Sequence, residues 1–312
     1  MSVCDHGAPG MGLARKYQIC VDQTPYYHCI SRCVRQAFLC GNDRFTERNY
    51  DHRKAWLENR MRILSQVFAI DLVAYAIMSN HYHVVLRINA SLARNWTSDE
   101  VVGRWQVLFS LPEVVREEDV RIWRDRLCSI SWYQRCLNEP LARMANREDN
   151  CAGRFWEGRF KCQALLDERA LITCMAYVDL NPVRAATATT PESSEHTSVR
   201  ARIAGDDDHL MPFSDDRSAN GTTIPCNERT YLELVDWTGR QIRHGKRGRI
   251  DGALPPILQR LCPHQDDWLR EMKYYGRWYY RAVGSIAAMS RFAEYVGQQW
   301  LKGRRETVAL AT

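Results

Sequence analysis

The residues of this chain that could do chemistry lie in two short segments. His81-Tyr82-His83 heads an apolar run that reaches Ile88. Side chains two apart on a strand project from one face, so His81 and His83 could grip a single divalent ion while Tyr82 points away. Tyr177 and Asn181 stand four residues apart, positions that share a face on a helix. A tyrosine hydroxyl, with an ordinary pKa of about 10, becomes a phosphoryl acceptor only with help for its proton and for the charge developing on phosphate. A hard ion such as Mg²⁺ or Mn²⁺, held by two imidazoles and an amide oxygen with positions left open, could supply that help and orient a phosphate for in-line attack. Each segment alone also fits a plainer description, with His81 and His83 packed or at the surface, Tyr177 packed, and Asn181 capping a helix.

The elements that must position these residues are legible as local patterns. Tyr26 to Ser31, after Pro25, is aromatic and β-compatible and reads as a first strand. Trp56, Leu57, Met61, Leu64 and Phe68 recur at helical spacing between Asn49 and Phe68. Leu72 to Met78 and His81 to Ile88 flank the turn-prone Ser79-Asn80 and predict a hairpin. Strand, helix, strand, turn, strand begins an α+β fold, a ferredoxin-like, mainly antiparallel sheet with helices covering one face. Residues 92–150 read as helical, with Trp96, Trp105, Trp123 and Trp132 as apolar anchors. Asp167 is a natural N-cap for a helix striped by Leu171, Ile172, Met175 and Val178, which Pro182 should stop at the residues of interest. That proline also disfavours helical geometry at Asn181, so the amide would be presented from a fraying end.

Thr, Ser, Asp and Pro crowd residues 187–225, which read as a linker. Three parts are therefore expected: a catalytic domain over 1–186 with a helical insertion around 89–150, the linker, and a mainly helical basic module over 226–312. That module carries Arg240, Arg243, Lys246, Arg247 and Arg249 with no acid among them, then helix-like segments around Trp268–Tyr280 and Ile286–Leu301. No internal repeat is present.

The chain has 312 residues, 43 Lys and Arg against 37 Asp and Glu, a net charge of +6, and 45% hydrophobic residues, the profile of a folded protein compatible with a polyanionic partner. The acidic patches Asp206-Asp207-Asp208 and Asp215-Asp216 sit in the expected linker, leaving the flanking segments more basic. No stretch approaches the roughly 18 apolar residues of a membrane span and no export signal is read, so a cytoplasmic protein without a membrane partner is expected, nucleoid-associated when on DNA. Twelve scattered cysteines then suggest reduced thiols; Cys29, Cys33 and Cys40 raise the question of zinc without forming a paired CxxC arrangement.

Taken in order, Met78-Ser79-Asn80-His81-Tyr82-His83-Val84-Val85-Leu86, then Trp156-Glu157-Gly158-Arg159-Phe160-Lys161, then Tyr177-Val178-Asp179-Leu180-Asn181-Pro182-Val183-Arg184-Ala185 resemble the REP-associated tyrosine transposases. These belong to the HUH single-strand nucleases, named for two histidines flanking a hydrophobic residue; Tyr82 departs from that middle position. The resemblance runs from about Tyr26 to Ala186, matches less readily over 89–150, and does not reach the C-terminal module. It implies an HUH nuclease fold, His81, His83 and Asn181 as metal ligands, and Tyr177 as nucleophile. It further implies a 5′-phosphotyrosine link with a free 3′-hydroxyl, and single-stranded, hairpin-forming repetitive DNA as substrate. Arg154, Arg159, Lys161 and Arg184, with the five cations of the C-terminal run, are the expected DNA contacts. A homodimer is left open. Two other readings remain beside this one: a nucleic-acid-binding regulator that keeps the scaffold without cutting, and a metal-dependent hydrolase that uses activated water instead of Tyr177.

Overall fold

Strand register decides which of these side chains meet. The computed structural model describes residues 19–34, 39–42, 47–215, 221–242, 272, 273, 275, 279, 281–298 and 301. In chain order the elements are β1 (Tyr26–Arg32), α1 (His52–Val67), β2 (Ile70–Ile77), β3 (His81–Ile88), α2 (Ala90–Asn95), α3 (Ser98–Gln106), α4 (Glu117–Leu127) and α5 (Ile130–Glu148). There follow β4 (Lys161–Leu165), α6 (Glu168–Asp179), α7 (Asn181–Arg184), α8 (Ser198–Ala204), β5 (Phe213–Ser214), β6 (Ile224–Pro225), α9 (Glu228–Ile242), β7 (Ala282–Val283) and α10 (Ile286–Tyr295).

Five strands form one sheet in the order β2-β3-β1-β4-β7. The first four are antiparallel neighbours, with Tyr27 opposite both Leu86 and Ala164, and together with α1 they make the expected α+β, ferredoxin-like arrangement. β7 adds a parallel edge, Ala164 against Ala282, so the complete sheet is mixed. Helices cover both faces rather than one, because β2 and β3 are buried at almost every position and an apolar strand needs cover on each side. α5 lies on the face of Tyr82, whose hydroxyl meets Gln134 and Asn138; α6 lies on the opposite face, that of His28 and His83.

The helices form where their apolar stripes demand. In α1, Leu57, Met61 and Leu64 are fully buried at helical spacing. Of the expected helical stretch 92–150, all but short breaks and residues 107–116 falls in α2 to α5, and Trp105 stacks on Trp123 with ring centroids 5.4 Å apart while Arg126 covers Trp132. Among the described residues no helix is long and apolar enough to cross a membrane. Cys29, Cys33 and Cys40 are buried, and no three His, Cys, Asp or Glu side chains among the described residues group to hold a metal.

Within 187–225 the described residues include Thr197 and Leu210, which bridge to Ala76 and Leu72 of β2. Two polar residues of this stretch cap and anchor: Thr197 caps α8, and the Ser198 hydroxyl accepts from Tyr75 N on β2 at 2.9 Å. Asp206 and Asp208, both exposed, pair with Arg62 of α1. The described part of the segment beyond 226 joins the main sheet and α6. It contributes β7 to the main sheet and α9 against α6, because Ala282, Val283, Tyr231 and Leu234 are buried there. The expected helix near Ile286 is α10; Arg240 falls within α9, whereas Arg243, Lys246, Arg247 and Arg249, and most of Trp268–Tyr280, lie outside the described residues.

Candidate active site

Three adjacent strands each deliver one polar side chain to the same face. His83 of β3 is diagonal to His28 of β1, and His28 is the direct cross-strand partner of Gln163 of β4. The result is a chain of contacts: Gln163 Oε1 lies 3.3 Å from His28 Nδ1, and His28 Nε2 lies 2.9 Å from His83 Nδ1. Beside them His81, at the start of β3, places Nδ1 2.6 Å from Asn80 Oδ1 in the hairpin turn. The rings of His81 and His83 are 4.8 Å apart, as the alternation of β3 requires, and Tyr82 is on the other face.

All three imidazoles are held neutral. Burial lowers His28 and His81 to about 4, with Arg32 adding to the effect on His81. Burial also pushes His83 well below its ordinary value, helped by His28, His81 and Arg184. His83 Nε2 is buried without a hydrogen-bond partner among the described residues. A buried lone polar atom of that kind is costly unless something outside the chain satisfies it.

α6 brings Tyr177 to this group. Its N-cap is the expected Asp167, whose carboxylate accepts from Ala170 N at 2.8 Å, and its apolar stripe seats the helix on β2, β3 and β4. The Tyr177 ring stands edge-on to His83, centroids 5.8 Å apart, and 6.1 Å from His28. Arg184 covers it at 4.8 Å and Tyr275 stacks on it at 4.6 Å. Burial raises the Tyr177 pKa, and the Arg184 guanidinium works against that rise.

A cleft of about 450 Å³ opens over these residues, lined by His81, His83 and Tyr177 with Arg32, Arg159, Lys161 and Glu157. Arg159 and Lys161, two of the expected DNA contacts, therefore share the cleft with the phenol and the imidazole pair. Arg154 is exposed beside it, in a shallow groove with Phe155 and Trp156. Asn181 does not line the cleft; its Nδ2 donates to the Tyr177 carbonyl at 3.1 Å, as a helix-end amide does. Arg184 is engaged with the Met272 carbonyl at 2.6 Å and with the Tyr177 ring.

No protein-family model matches the chain, and no curated protein matches it by sequence. Among solved structures it is similar to a REP-associated tyrosine transposase bound to a REP hairpin, at 13% identity and a TM-score of 0.42, over 78% of this chain and 100% of that one. At that identity and score the likeness assigns no family.

The residues present fit a divalent cation. His81 and His83 are neighbouring neutral imidazoles, and the unpartnered Nε2 of His83 is the type of donor such an ion takes. The Asn181 amide is not part of the cleft lining, so within the cleft the two imidazoles come together without it. Sequence reading missed His28, Gln163, Tyr275, Arg32 and Glu157. His28 sits within the strand recognised at Tyr26–Ser31, but only its register against β3 and β4 brings it to His83 and Gln163, and local periodicity carries no information on register.

Proposed function

We propose that this chain is a divalent-metal-dependent single-strand DNA transferase that attaches Tyr177 to a DNA phosphate. The observation that carries the proposal is the Tyr177 ring edge-on to His83 at 5.8 Å, in a cleft that also holds His81, Arg159 and Lys161. A nucleophile, a pair of neutral imidazoles and two exposed cations are parts that phosphodiester transfer needs, and their convergence from β3, α6 and the start of β4 supports the reading.

In this scheme Arg32, Arg159 and Lys161 draw the DNA backbone into the cleft and offset the charge on the reacting phosphate. His81 and His83, with the Asn181 amide oxygen if it turns toward them, would hold Mg²⁺ or Mn²⁺, which would supply polarisation of the phosphate. The Tyr177 oxygen attacks phosphorus in line; a bond forms between them as the bond from phosphorus to the 3′ oxygen breaks. The phenol gives up its proton and the departing 3′ oxygen gains one, leaving a 5′-phosphotyrosine and a free 3′-hydroxyl. Burial holds the phenol in its protonated form, so deprotonation is the step the site must assist, and Arg184 over the ring favours the phenolate. Attack by a 3′-hydroxyl on the adduct reverses the sequence and rejoins a strand. The resemblance of the three motifs points to hairpin-forming repetitive single strands as substrates, with Arg154 and the run Arg240, Arg243, Lys246, Arg247 and Arg249 as further backbone contacts.

The test is a denaturing gel of the protein with a library of single-stranded hairpins and Mg²⁺ or Mn²⁺. A covalent protein–DNA adduct is expected, absent in Tyr177→Phe; an undiminished adduct in that variant would show the nucleophile to be misassigned. A second reading, a hairpin-binding regulator without cleavage, is favoured by the engagement of Asn181 and Arg184 in contacts within the protein. It predicts metal-independent binding and no adduct on any hairpin.

A further inference from the structure

The hydrogen bonds behind the imidazole pair have a direction. A carbonyl oxygen only accepts, so the 3.3 Å contact from Gln163 Oε1 requires a proton on His28 Nδ1. A neutral imidazole carries a single N–H, which leaves His28 Nε2 as an acceptor. The nitrogen 2.9 Å away, His83 Nδ1, must then be the donor, and the proton cannot also be on His83 Nε2. The Tyr275 hydroxyl donates to the same Gln163 oxygen at 3.3 Å, which holds the oxygen end of that amide toward the histidines. His81 is set the same way from the hairpin turn, where Asn80 Oδ1 accepts from its Nδ1 at 2.6 Å.

We infer that the relay Tyr275–Gln163–His28–His83, running from the C-terminal segment across β4 and β1 to β3, fixes His83 in the tautomer protonated on Nδ1 and so presents its buried, unpartnered Nε2 as a lone pair for a cation. His28, Gln163 and Tyr275 are positioning residues: they act through His83. The use of the lone pair rests on the function proposed above; the tautomer does not. The relay also accounts for a feature that packing alone leaves unexplained, a histidine, a glutamine and a tyrosine buried behind His83 where apolar side chains would fill the space.

The experiment uses the full-length, ¹⁵N-labelled protein without metal and reads the imidazole nitrogens by long-range ¹H–¹⁵N correlation. His83 is expected with Nδ1 protonated and Nε2 bare. In His28→Leu and Gln163→Leu the preference is lost and His83 becomes a mixture; in His28→Gln, whose amide oxygen can accept from His83 Nδ1, it returns. Mn²⁺ alone, titrated calorimetrically, is expected to bind about 10- to 100-fold more weakly to the two leucine variants and near the parent level to His28→Gln, a rescue that a loss of packing would not produce. A proton on His83 Nε2 in the parent, or an unchanged tautomer in folded leucine variants, overturns the relay. Should His28→Leu not fold, the parent and Gln163→Leu spectra decide. The expected tautomer in a parent that takes up no Mn²⁺ would support the relay and sink the metal role instead.

Discussion

The ring of Tyr275 lies 4.6 Å from that of Tyr177 at an interplanar angle of 29°, so a residue 98 positions further along the chain forms one side of the proposed nucleophile's surroundings. Tyr275→Ala removes both this stack and a buried ring. A loss of about 3 kcal/mol of stability is expected, together with adduct formation slowed roughly tenfold or more as Tyr177 gains freedom, since an aromatic pair is worth about 1 kcal/mol beyond its burial. Tyr275→Phe keeps the ring and should stay within about 1 kcal/mol of the parent. Denaturant unfolding and adduct time courses check both; an unaltered adduct rate in folded Tyr275→Ala would remove the stack from the positioning of Tyr177.

The buried histidines predict an acid-labile fold. His28 and His81 are lowered by burial to about 4. Unfolded histidines titrate near 6.5, so the unfolded chain binds more protons below that value. Their contribution is fully present above pH of about 6.5 and is lost as the pH falls towards about 4, by up to roughly 3 kcal/mol per residue. Denaturant midpoints of the metal-free protein across that range should fall on the acid side, and His81→Gln should flatten the fall. An equally steep acid limb in that variant would assign the loss to other groups.

Asp179, at the end of α6, is fully buried and accepts from Ser198, from Val199 N at 3.0 Å and from the Tyr231 hydroxyl, joining α6 to α8 and α9. Asp179→Ala leaves these donors unsatisfied and should cost on the order of 3 kcal/mol. Because burial raises its pKa despite those hydrogen bonds, the parent is expected to gain stability from this group as the pH falls through the raised value, and the variant to lack that gain. Urea unfolding at two acid pH values distinguishes them.

Arg159 and Lys161 line the cleft and are exposed, whereas Arg184 is bonded to the Met272 carbonyl and to the Tyr177 ring. Removing a true phosphate contact lowers the slope of log affinity against log salt by about 0.7 for a single strand. Arg159→Ala and Lys161→Ala should each do so on a hairpin probe, and Arg184→Ala should leave the slope nearly unchanged. A full change of slope in Arg184→Ala would place that guanidinium on DNA.

The sequence by itself determined the local pieces. Period-two alternation put His81 and His83 on one face of β3 and Tyr82 on the other, and the apolar stripe from Leu171 to Val178 with Asp167 as its cap specified α6 as the carrier of Tyr177. These follow from neighbours within a few residues, where backbone geometry alone dictates which side chains share a face. Only the tertiary structure decided that His28, Gln163 and Tyr275 stand behind His83, that helices cover both sheet faces, and that Ser198 anchors on β2 while Ala282–Val283 extends the main sheet. Strand register and the docking of distant segments are set by the total burial they achieve, a property of the assembled core that no window of local sequence contains.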